Sequence, residues 1–346
     1  ISACLVGSEM CIRDRVVAGT VIGSIYRCEF PRSHGRLPRH RRWGEPAEQN
    51  RAGGSTITSV ALFELNGKTA LVTGGARGIG FATAQALSAR GANVVIADLD
   101  EDSSRRAAAQ IHDNRALGLA ADVTDAGALQ RVVASAVERF GGLDVVVANA
   151  GIASRPATFR AMPSETIERV IDVDLLGVYR TVYAALPQIV GRRGHIVVIS
   201  SIYAFINGVA AVPYAMSKAG VEQLGRALRL ELHQHGASAS VAYFGWIDTE
   251  MVHRALDQDP LRDRLLRTFP SPLRKRIPPS EAGEAIARGI ERRQSQIFRP
   301  RRWAAVSALR GILGPLGDAA LTHDADAMGL LTDLDARAGQ DQPTTA

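Results

Sequence analysis

The sequence predicts an α/β fold, a doubly wound parallel sheet with helices on both faces, and three observations carry that expectation. An apolar run, Thr69-Ala70-Leu71-Val72, passes through the glycine-rich turn Thr73-Gly74-Gly75-Ala76-Arg77-Gly78-Ile79-Gly80 into an Ala-rich segment of helical period, Phe81 to Arg90. Short apolar runs and helical segments then alternate along the chain. A carboxylate, Asp98, closes the second apolar run 18 residues beyond Gly80.

The first strand is bounded by Asn66-Gly67. The order strand, glycine turn, helix matters because a helix N-terminus offers unpaired N–H groups and partial positive charge, and glycines without Cβ let a pyrophosphate approach the backbone. The second strand, Ala92 to Ala97, ends at Asp98. A carboxylate at that spacing can accept from adenine ribose hydroxyls and repel a 2′-phosphate; alternatively it is one of the acids that begin the next helix. Arg77 pulls the other way, since a guanidinium beside the turn suits a 2′-phosphate. We expect Asp98 to prevail, and hence NAD rather than NADP.

Strands are expected at Ala116 to Ala121 and Leu143 to Ala148, and helices at Ala126 to Phe140 and, as one long element, Ser164 to Val190. Asp122 ends the third strand, near the expected adenine or as a helix N-cap. Ala148-Asn149-Ala150-Gly151 ends the fourth, at the carboxyl edge where open sheets bind ligands. His195 to Ile199 forms the fifth strand and ends in Ser200-Ser201; Tyr214-Ala215-Met216-Ser217-Lys218 opens a helix to about His235. Four residues apart on a helix, Tyr214 and Lys218 share one face, where a cation lowers a phenol pKa.

These residues resemble the short-chain dehydrogenase/reductase family, the branch with TGxxxGIG and YxxxK motifs, over about Leu65 to Phe298. The marks occur in order: Thr73 to Gly80, Asp98, the pair Asp122-Val123, Asn149 to Gly151, the Ser-Ser strand end, and YxxxK thirteen residues after Ser201. The resemblance implies a single Rossmann-type domain binding NAD(P) and exchanging a hydride with a secondary alcohol or ketone. It implies that Ser201 holds the substrate carbonyl, Tyr214 transfers the proton, and Lys218 lowers the tyrosine pKa and binds the nicotinamide ribose. Cofactor contacts carried over with it are Gly74, Arg77, Gly78, Ile79, Gly80, Asp98, Asp122, Val123, Asn149, Ala150 and Gly151. Phe244-Gly245-Trp246-Ile247-Asp248-Thr249 resembles the PGxxxT segment, with Gly245 and Thr249 toward the cofactor.

Three positions depart from the family pattern. Ala148 replaces the first Asn of NNAG, and Phe244 replaces the Pro of PGxxxT. Asp174 stands where the family carries its tetrad Asn, which is thought to anchor a relay water to Lys218 partly through its backbone carbonyl. A backbone role survives the change, whereas a carboxylate beside Lys218 can pair with it. The alternative function is therefore a catalytically altered nucleotide-binding module of the same fold.

Charge and cysteine narrow the classes. The formal charge is +6, yet Thr58 to Leu261 holds 18 basic and 20 acidic residues, while Arg262 to Arg310 holds 13 against four. A near-neutral body argues against a nucleic-acid surface at the glycine turn. Cys4, Cys11 and Cys28 all precede the first element, which fits a reducing cytosol, and the histidines lack metal-ligand spacing. No metal is expected, and no run approaches the roughly 18 apolar residues of a spanning helix.

Three regions are expected: 1–57, a non-native or disordered segment; 58–300, the catalytic domain; and 301–346, an amphipathic segment followed by an acidic tail. Val6 to Arg15 resembles a translated sequencing adapter, and a native start is expected near Val60. Glu250 to Phe269 stands at the position of the family's substrate lid; its apolar Met251, Val252, Leu256, Leu261, Leu265, Leu266 and Phe269 suggest a hydrophobic substrate, or alternatively pack on the body. A helix is expected over Ser280 to Arg293 with Ser280 as N-cap. Arg299 to Trp303 precedes an apolar segment, Ala304 to Leu316, expected to pack on a neighbouring subunit of a homo-oligomer, with peripheral membrane contact as the alternative. Beyond Gly317 the tail shows no clear period and is expected to fray.

Overall fold

A computed structural model describes residues 62–112, 114–339 and 344–345, the last two by their backbone. The chain divides into two units, Ile1–Ile57 and Thr58–Ala346, and every described residue belongs to the second. The expectation for residues 1 to 57 lies outside the described residues.

The elements run β1 (Thr69–Thr73), α1 (Gly78–Ser88), β2 (Asn93–Asp98), α2 (Glu101–Ile111), β3 (Ala116–Ala120), α3 (Ala126–Phe140), β4 (Val145–Ala148), β5 (Ala153–Ser154) and α4 (Ser164–Ile171). A π-helical turn, Asp172–Leu176, joins α4 to α5 (Gly177–Gly191). There follow β6 (His195–Ser201), α6 (Val212–Glu231), β7 (Ser238–Phe244), α7 (Glu250–Val252), α8 (Arg262–Arg267), α9 (Pro279–Glu291) and β8 (Gln296–Arg299). The chain closes with α10 (Trp303–Ala308), α11 (Arg310–Thr322), α12 (Ala325–Asp335) and β9 (Thr344–Thr345).

Seven strands form one parallel sheet in the order β3-β2-β1-β4-β6-β7-β8. Because side chains alternate across a strand, each central strand feeds two cores. Ala70, Val72, Val145, Val147 and Val197 pack toward Leu87 of α1 and Ile286 and Ile290 of α9. Leu71, Val146, Ile196 and Val198 pack toward Val132 of α3, Val182 of α5 and Val221 of α6. The strand order reverses between β1 and β4, so the chain leaves these two carboxyl ends in opposite directions and opens a crevice there. The doubly wound sheet expected from the sequence is the fold observed.

The long helix expected over Ser164 to Val190 is interrupted by the π-helical turn, which carries Asp174. At α9 the N-cap is Pro278, with no side-chain cap, and Ser280 lies in the first turn. Pro279 takes the first helical position because its fixed φ suits the helix and its missing N–H would be unpaired there in any case. The acidic tail is also ordered: α11 continues to Thr322, and α12 buries Leu330 and Leu334 beside Ala210, Leu261 and Leu265. Buried Arg337 supplies the polar half of that contact, with Nη1 and Nη2 each 2.7 Å from the buried carboxylate of Asp259.

Candidate active site

The crevice between β1 and β4 has a volume of about 370 Å³ and runs from the glycine turn to Tyr214 and Lys218. Gly74 (φ +61°) and Gly78 (φ +56°) occupy the left-handed region that favours glycine. A Cβ on Gly80 would lie 2.1 Å from the Gly74 carbonyl oxygen, and one on Gly74 would lie 2.8 Å from Ala150 Cα. Glycine is thus demanded where α1 begins. Asn149 Nδ2 donates to the Thr73 and Gly74 carbonyls at 3.0 Å each, while Thr73 Oγ1 accepts from the Asn149 and Ala150 N–H groups. The end of β4 therefore holds the glycine turn in place.

Asp98 stands across the turn, where Oδ2 accepts from the Ala76 N–H at 3.0 Å and Oδ1 from the Leu99 N–H at 2.8 Å. Arg77 pairs with Glu250 at 3.0 Å; both are nearly half exposed, so solvent screening leaves that pair weak. Asp122 accepts from the Thr124 N–H and hydroxyl at 2.9 and 2.7 Å. The N-cap of α3 is Asp125, which removes the capping alternative for Asp122.

Gly74, Arg77, Gly78, Ile79, Asp98, Asp122, Val123, Asn149, Ala150, Gly151, Asp174, Tyr214, Lys218 and Thr249 all line the crevice. Ser201, Gly80 and Gly245 do not. Gly80 is required by the turn, and a Cβ on Gly245 would meet Trp303 Nε1 at 2.3 Å, so that glycine admits the buried Trp303. Leu99, Arg169 and Ile199 also line the crevice and were not singled out from the sequence. Leu99 carried a signal, an exposed apolar residue directly after the ribose-spaced acid.

At the inner end, α6 presents Tyr214 and Lys218 on one face, with Lys218 Nζ 5.2 Å from the Tyr214 ring centre. Ser201, at the end of β6, stands near enough to Tyr214 to act on its phenol. Its Oγ also lies 3.4 Å from the Phe244 carbonyl. Lys218 Nζ reaches Asp174 Oδ2 at 3.1 Å, and the Ile152 N–H donates to Asp174 Oδ1 at 2.7 Å. Both ionic groups are buried. Gly151 makes room for the carboxylate: a Cβ there would sit 3.2 Å from Asp174 Oδ2.

The electrostatics follow from burial first. Desolvation pushes the Asp174 carboxyl above its ordinary value, against the pull of Lys218. Desolvation also favours the neutral amine at Lys218, but Asp174 and then Tyr214 hold its ammonium above the ordinary value. Tyr214 is raised by burial; Lys218 opposes this, Asp174 adds to it, and Ser201 opposes it. Asp174 thus cancels part of the help that Lys218 gives the phenol.

Next to Tyr214 stands a chain of aromatic rings. Tyr203 meets Tyr214 edge-on at 5.7 Å and Phe269 at 6.4 Å, and Trp246 meets Phe269 at 5.5 Å. Of the lid residues expected to face a substrate, Phe269 stands beside this cluster and Met251 lines the crevice. Leu261 and Leu265 instead pack against α12, which corrects their expected substrate-facing role: the C-terminal helix was not foreseen and takes their apolar surface. No group of three or more metal-ligating side chains occurs among the described residues, and none of their helices is long and apolar enough to cross a membrane.

Comparison with known proteins agrees with this geometry. L-rhamnose 1-dehydrogenase (NAD(P)(+)) of Sphingomonas sp. (strain SKA58) is 39% identical over 210 residues, covering 59% of this chain and 80% of that protein. Trans-4-hydroxycyclohexanecarboxylate dehydrogenase of Sinomonas cyclohexanicum is 38% identical over 205 residues, covering 56% and 79%. The crystal structure of a short-chain type dehydrogenase/reductase from Mycobacterium marinum superposes with a TM-score of 0.62 at 29% identity, covering 68% of this chain and 95% of that one. The sequence pattern of the short chain dehydrogenase family matches residues 68–260, more than half of the chain. The chain belongs to the short-chain dehydrogenase family.

Proposed function

We propose that this protein is an NAD(P)-dependent oxidoreductase acting on a secondary alcohol or its ketone, with NAD preferred. The observation that carries the proposal is the meeting of Tyr214 and Lys218, with Ser201 next to the phenol, at one end of a crevice whose other end is the glycine turn. The residues fit a dinucleotide, since left-handed Gly74 and Gly78 and the close approach of Gly80 to the Gly74 carbonyl bring the start of α1 to the crevice with little side-chain cover, where a pyrophosphate would lie. The glycine turn and Ile79 would hold the diphosphate, Asp98 the adenine ribose, Asp122 and Val123 the adenine side, Asn149 to Gly151 the middle, and Lys218 and Thr249 the nicotinamide half. When bound, the dinucleotide supplies the hydride exchange.

The chain's own residues handle the proton. In the oxidative direction Tyr214, as phenolate, takes the proton of the alcohol oxygen, and Ser201 holds that oxygen by a hydrogen bond. The Lys218 ammonium stabilises the phenolate across the shared helix face. Asp174 fixes Lys218 in its charged form while moderating its field at Tyr214. The aromatic rings of Tyr203, Trp246 and Phe269, gathered next to Tyr214, support an apolar cyclic alcohol as substrate, in keeping with a relative that is a trans-4-hydroxycyclohexanecarboxylate dehydrogenase.

One observation favours a second reading, a nucleotide-binding module without turnover: the buried Asp174–Lys218 pair neutralises the ammonium on which Tyr214 depends. Fluorescence titration with NADH and NADPH, together with alcohol oxidation by the wild type and by Tyr214→Phe, separates the two. We expect tighter NADH binding and a loss of turnover of about 100-fold or more in the variant, at nearly unchanged NADH affinity. Wild-type activity in Tyr214→Phe removes that residue from the mechanism; NADH binding with no oxidation of any alcohol selects the second reading. Tighter NADPH binding transfers the choice of cofactor from Asp98 to Arg77. The oligomeric and cytoplasmic expectations join the proposal, supported by the exposed Leu176, Tyr179 and Tyr183 about the start of α5 and by the absence of cysteine after residue 28.

A further inference from the structure

The strong positive charge of residues 262 to 310 has no part in the chemistry above, and the structure gathers much of it in one place. A groove of about 1080 Å³ lies between α1, the start of α9 and the turn after β8, and it shares no wall residue with the crevice. Its floor is nearly bare of side-chain bulk, with Ala82, Ala86 and Ala89 along one face of α1. Its walls carry six cations, Lys275, Arg276, Arg288, Arg299, Arg301 and Arg302, against two carboxylates, Glu281 and Glu284; Lys275, Arg299, Arg301 and Arg302 form its rim.

These four cations differ from most of the chain's other guanidinium groups in having no carboxylate partner among the described residues. Nearby Arg276 is neutralised by Asp257, and Arg288 pairs with Glu284 at 2.7 Å. Arg299 bonds only the carbonyl of its neighbour Phe298, at 2.8 Å. Burial, followed by repulsion from Arg288 and Arg301, depresses its guanidinium, which Glu281 only partly offsets. Arg302 donates through Nη2 to the Lys275 carbonyl at 2.6 Å, but its Nε is buried with no partner. Like charges held together around a concave site, with donors unspent, are stabilised by an anion that brings several acceptor oxygens.

We propose that this groove binds a soluble phosphate ester, its phosphate oxygens held by Arg299, Arg301, Arg302 and Lys275 and its body resting on the alanine face of α1. A lipid phosphate offers the same oxygens. The exposed apolar residues of α11, Leu309, Ile312, Leu313 and Leu316, are the surface that would enter a bilayer, but α11 is anchored by Arg310 to Glu222 of α6. Helix α6 packs on the face of the sheet opposite α1 and α9. Headgroup site and apolar surface therefore do not lie on one face, and a soluble ligand is the better fit.

The test is calorimetric titration of the full chain with sodium pyrophosphate at fixed ionic strength, repeated on Lys275→Gln/Arg301→Gln and on Arg77→Gln. Lys275 and Arg301 are exposed, so the double variant leaves the core intact; Arg299→Gln is the second groove variant. We expect saturable heat that weakens about tenfold or more in each groove variant and persists in Arg77→Gln, where the glycine turn is altered instead. Heat that is absent in the wild type, or unchanged in the groove variants, overturns the proposal. So does binding to phosphatidylcholine/phosphatidylglycerol vesicles without any pyrophosphate heat, which would assign the groove to a lipid headgroup.

Discussion

Folding stability should decline below neutral pH because of one buried imidazole, His195, at the foot of the strand that carries Ser201 at its other end. His195 is fully buried between two hydroxyls, with Nδ1 2.7 Å from Ser238 Oγ and Nε2 2.8 Å from Ser240 Oγ. The Ser240 hydroxyl donates to the Gln294 carbonyl, so it accepts from Nε2–H, and Nδ1 is left to accept from Ser238. The neutral ring satisfies this network; a second proton would break it. Burial, then the nearby charges of Arg293 and Arg229, push His195 down to about 3. The unfolded chain takes up a proton near pH 6.5, which the folded chain does not do until about pH 3. The contribution is thus complete above about pH 6.5 and is lost as pH falls toward 3, at a limiting slope of about 1.4 kcal/mol per pH unit. Between pH 7 and pH 5 the loss comes to about 2 kcal/mol, a large share of the roughly 5–15 kcal/mol that holds a typical domain. Urea unfolding at both pH values, on the wild type and on His195→Asn, reads it directly. The variant gives up about 0.5–1.5 kcal/mol for the Ser240 bond at every pH, but its pH dependence should be shallower by that same 2 kcal/mol. Equal slopes would refute the argument. Activity lost below pH 6 would then have to be assigned to Tyr214 rather than to unfolding.

Asp174→Asn removes the charge that raises the Tyr214 phenol, so the rise of alcohol oxidation with pH should begin at lower pH than in the wild type, as a pH–rate profile would show; an onset moved upward would contradict the reading. Arg337→Ala leaves buried Asp259 with Arg155 at 3.3 Å as its one charged partner, beside the Leu261 N–H that donates to Oδ1 at 2.8 Å. Because that partner persists, the cost should fall below the usual range for a broken buried pair, at about 2–3 kcal/mol, or several degrees in thermal melting. An unchanged melting temperature would show that α12 is not fastened by this contact.

What the sequence disclosed follows the range of the forces involved. Helix α3 is bounded at Ala126 and Phe140, as expected, because its stops are local: Asp125 caps it, and Gly141 leaves it at φ +78°. The glycine turn and the Tyr214/Lys218 pair were legible for the same reason, each set by spacing within a few residues. Strand β7 was not. Its Ser-Ala-Ser-Val-Ala-Tyr-Phe has modest β preference, and its place comes from pairing with β6 and β8 across the chain. The π-helical turn adds less than one residue to a helical period and leaves no mark in the apolar pattern. The order of the tail was hidden because few apolar side chains secure it, and its ionic partners are distant: Arg264 for Asp333, Arg160 for Asp335, and Asp259 for Arg337.

Those distant partners also change the meaning of the charge pattern. In sequence, a basic block from 262 to 310 precedes an acidic tail, and net charge alone suggests that the second shields the first. In the structure the tail's carboxylates divide: Asp333 takes Arg264 at the start of the block, whereas Asp335 takes Arg160 from the loop after β5 and Asp318 accepts from Asn207. Within the basic block, Arg262 and Arg276 share Asp257, Arg288 takes Glu284 and Arg310 takes Glu222. Among the described residues of the block, Arg267, Arg274, Arg292 and Arg293 also lack a carboxylate partner, but Lys275, Arg299, Arg301 and Arg302 differ in standing together on the rim of one groove. A merely solvated basic surface would leave its unpaired charges dispersed, where repulsion is least. Their convergence on a concave site is what an anion would require.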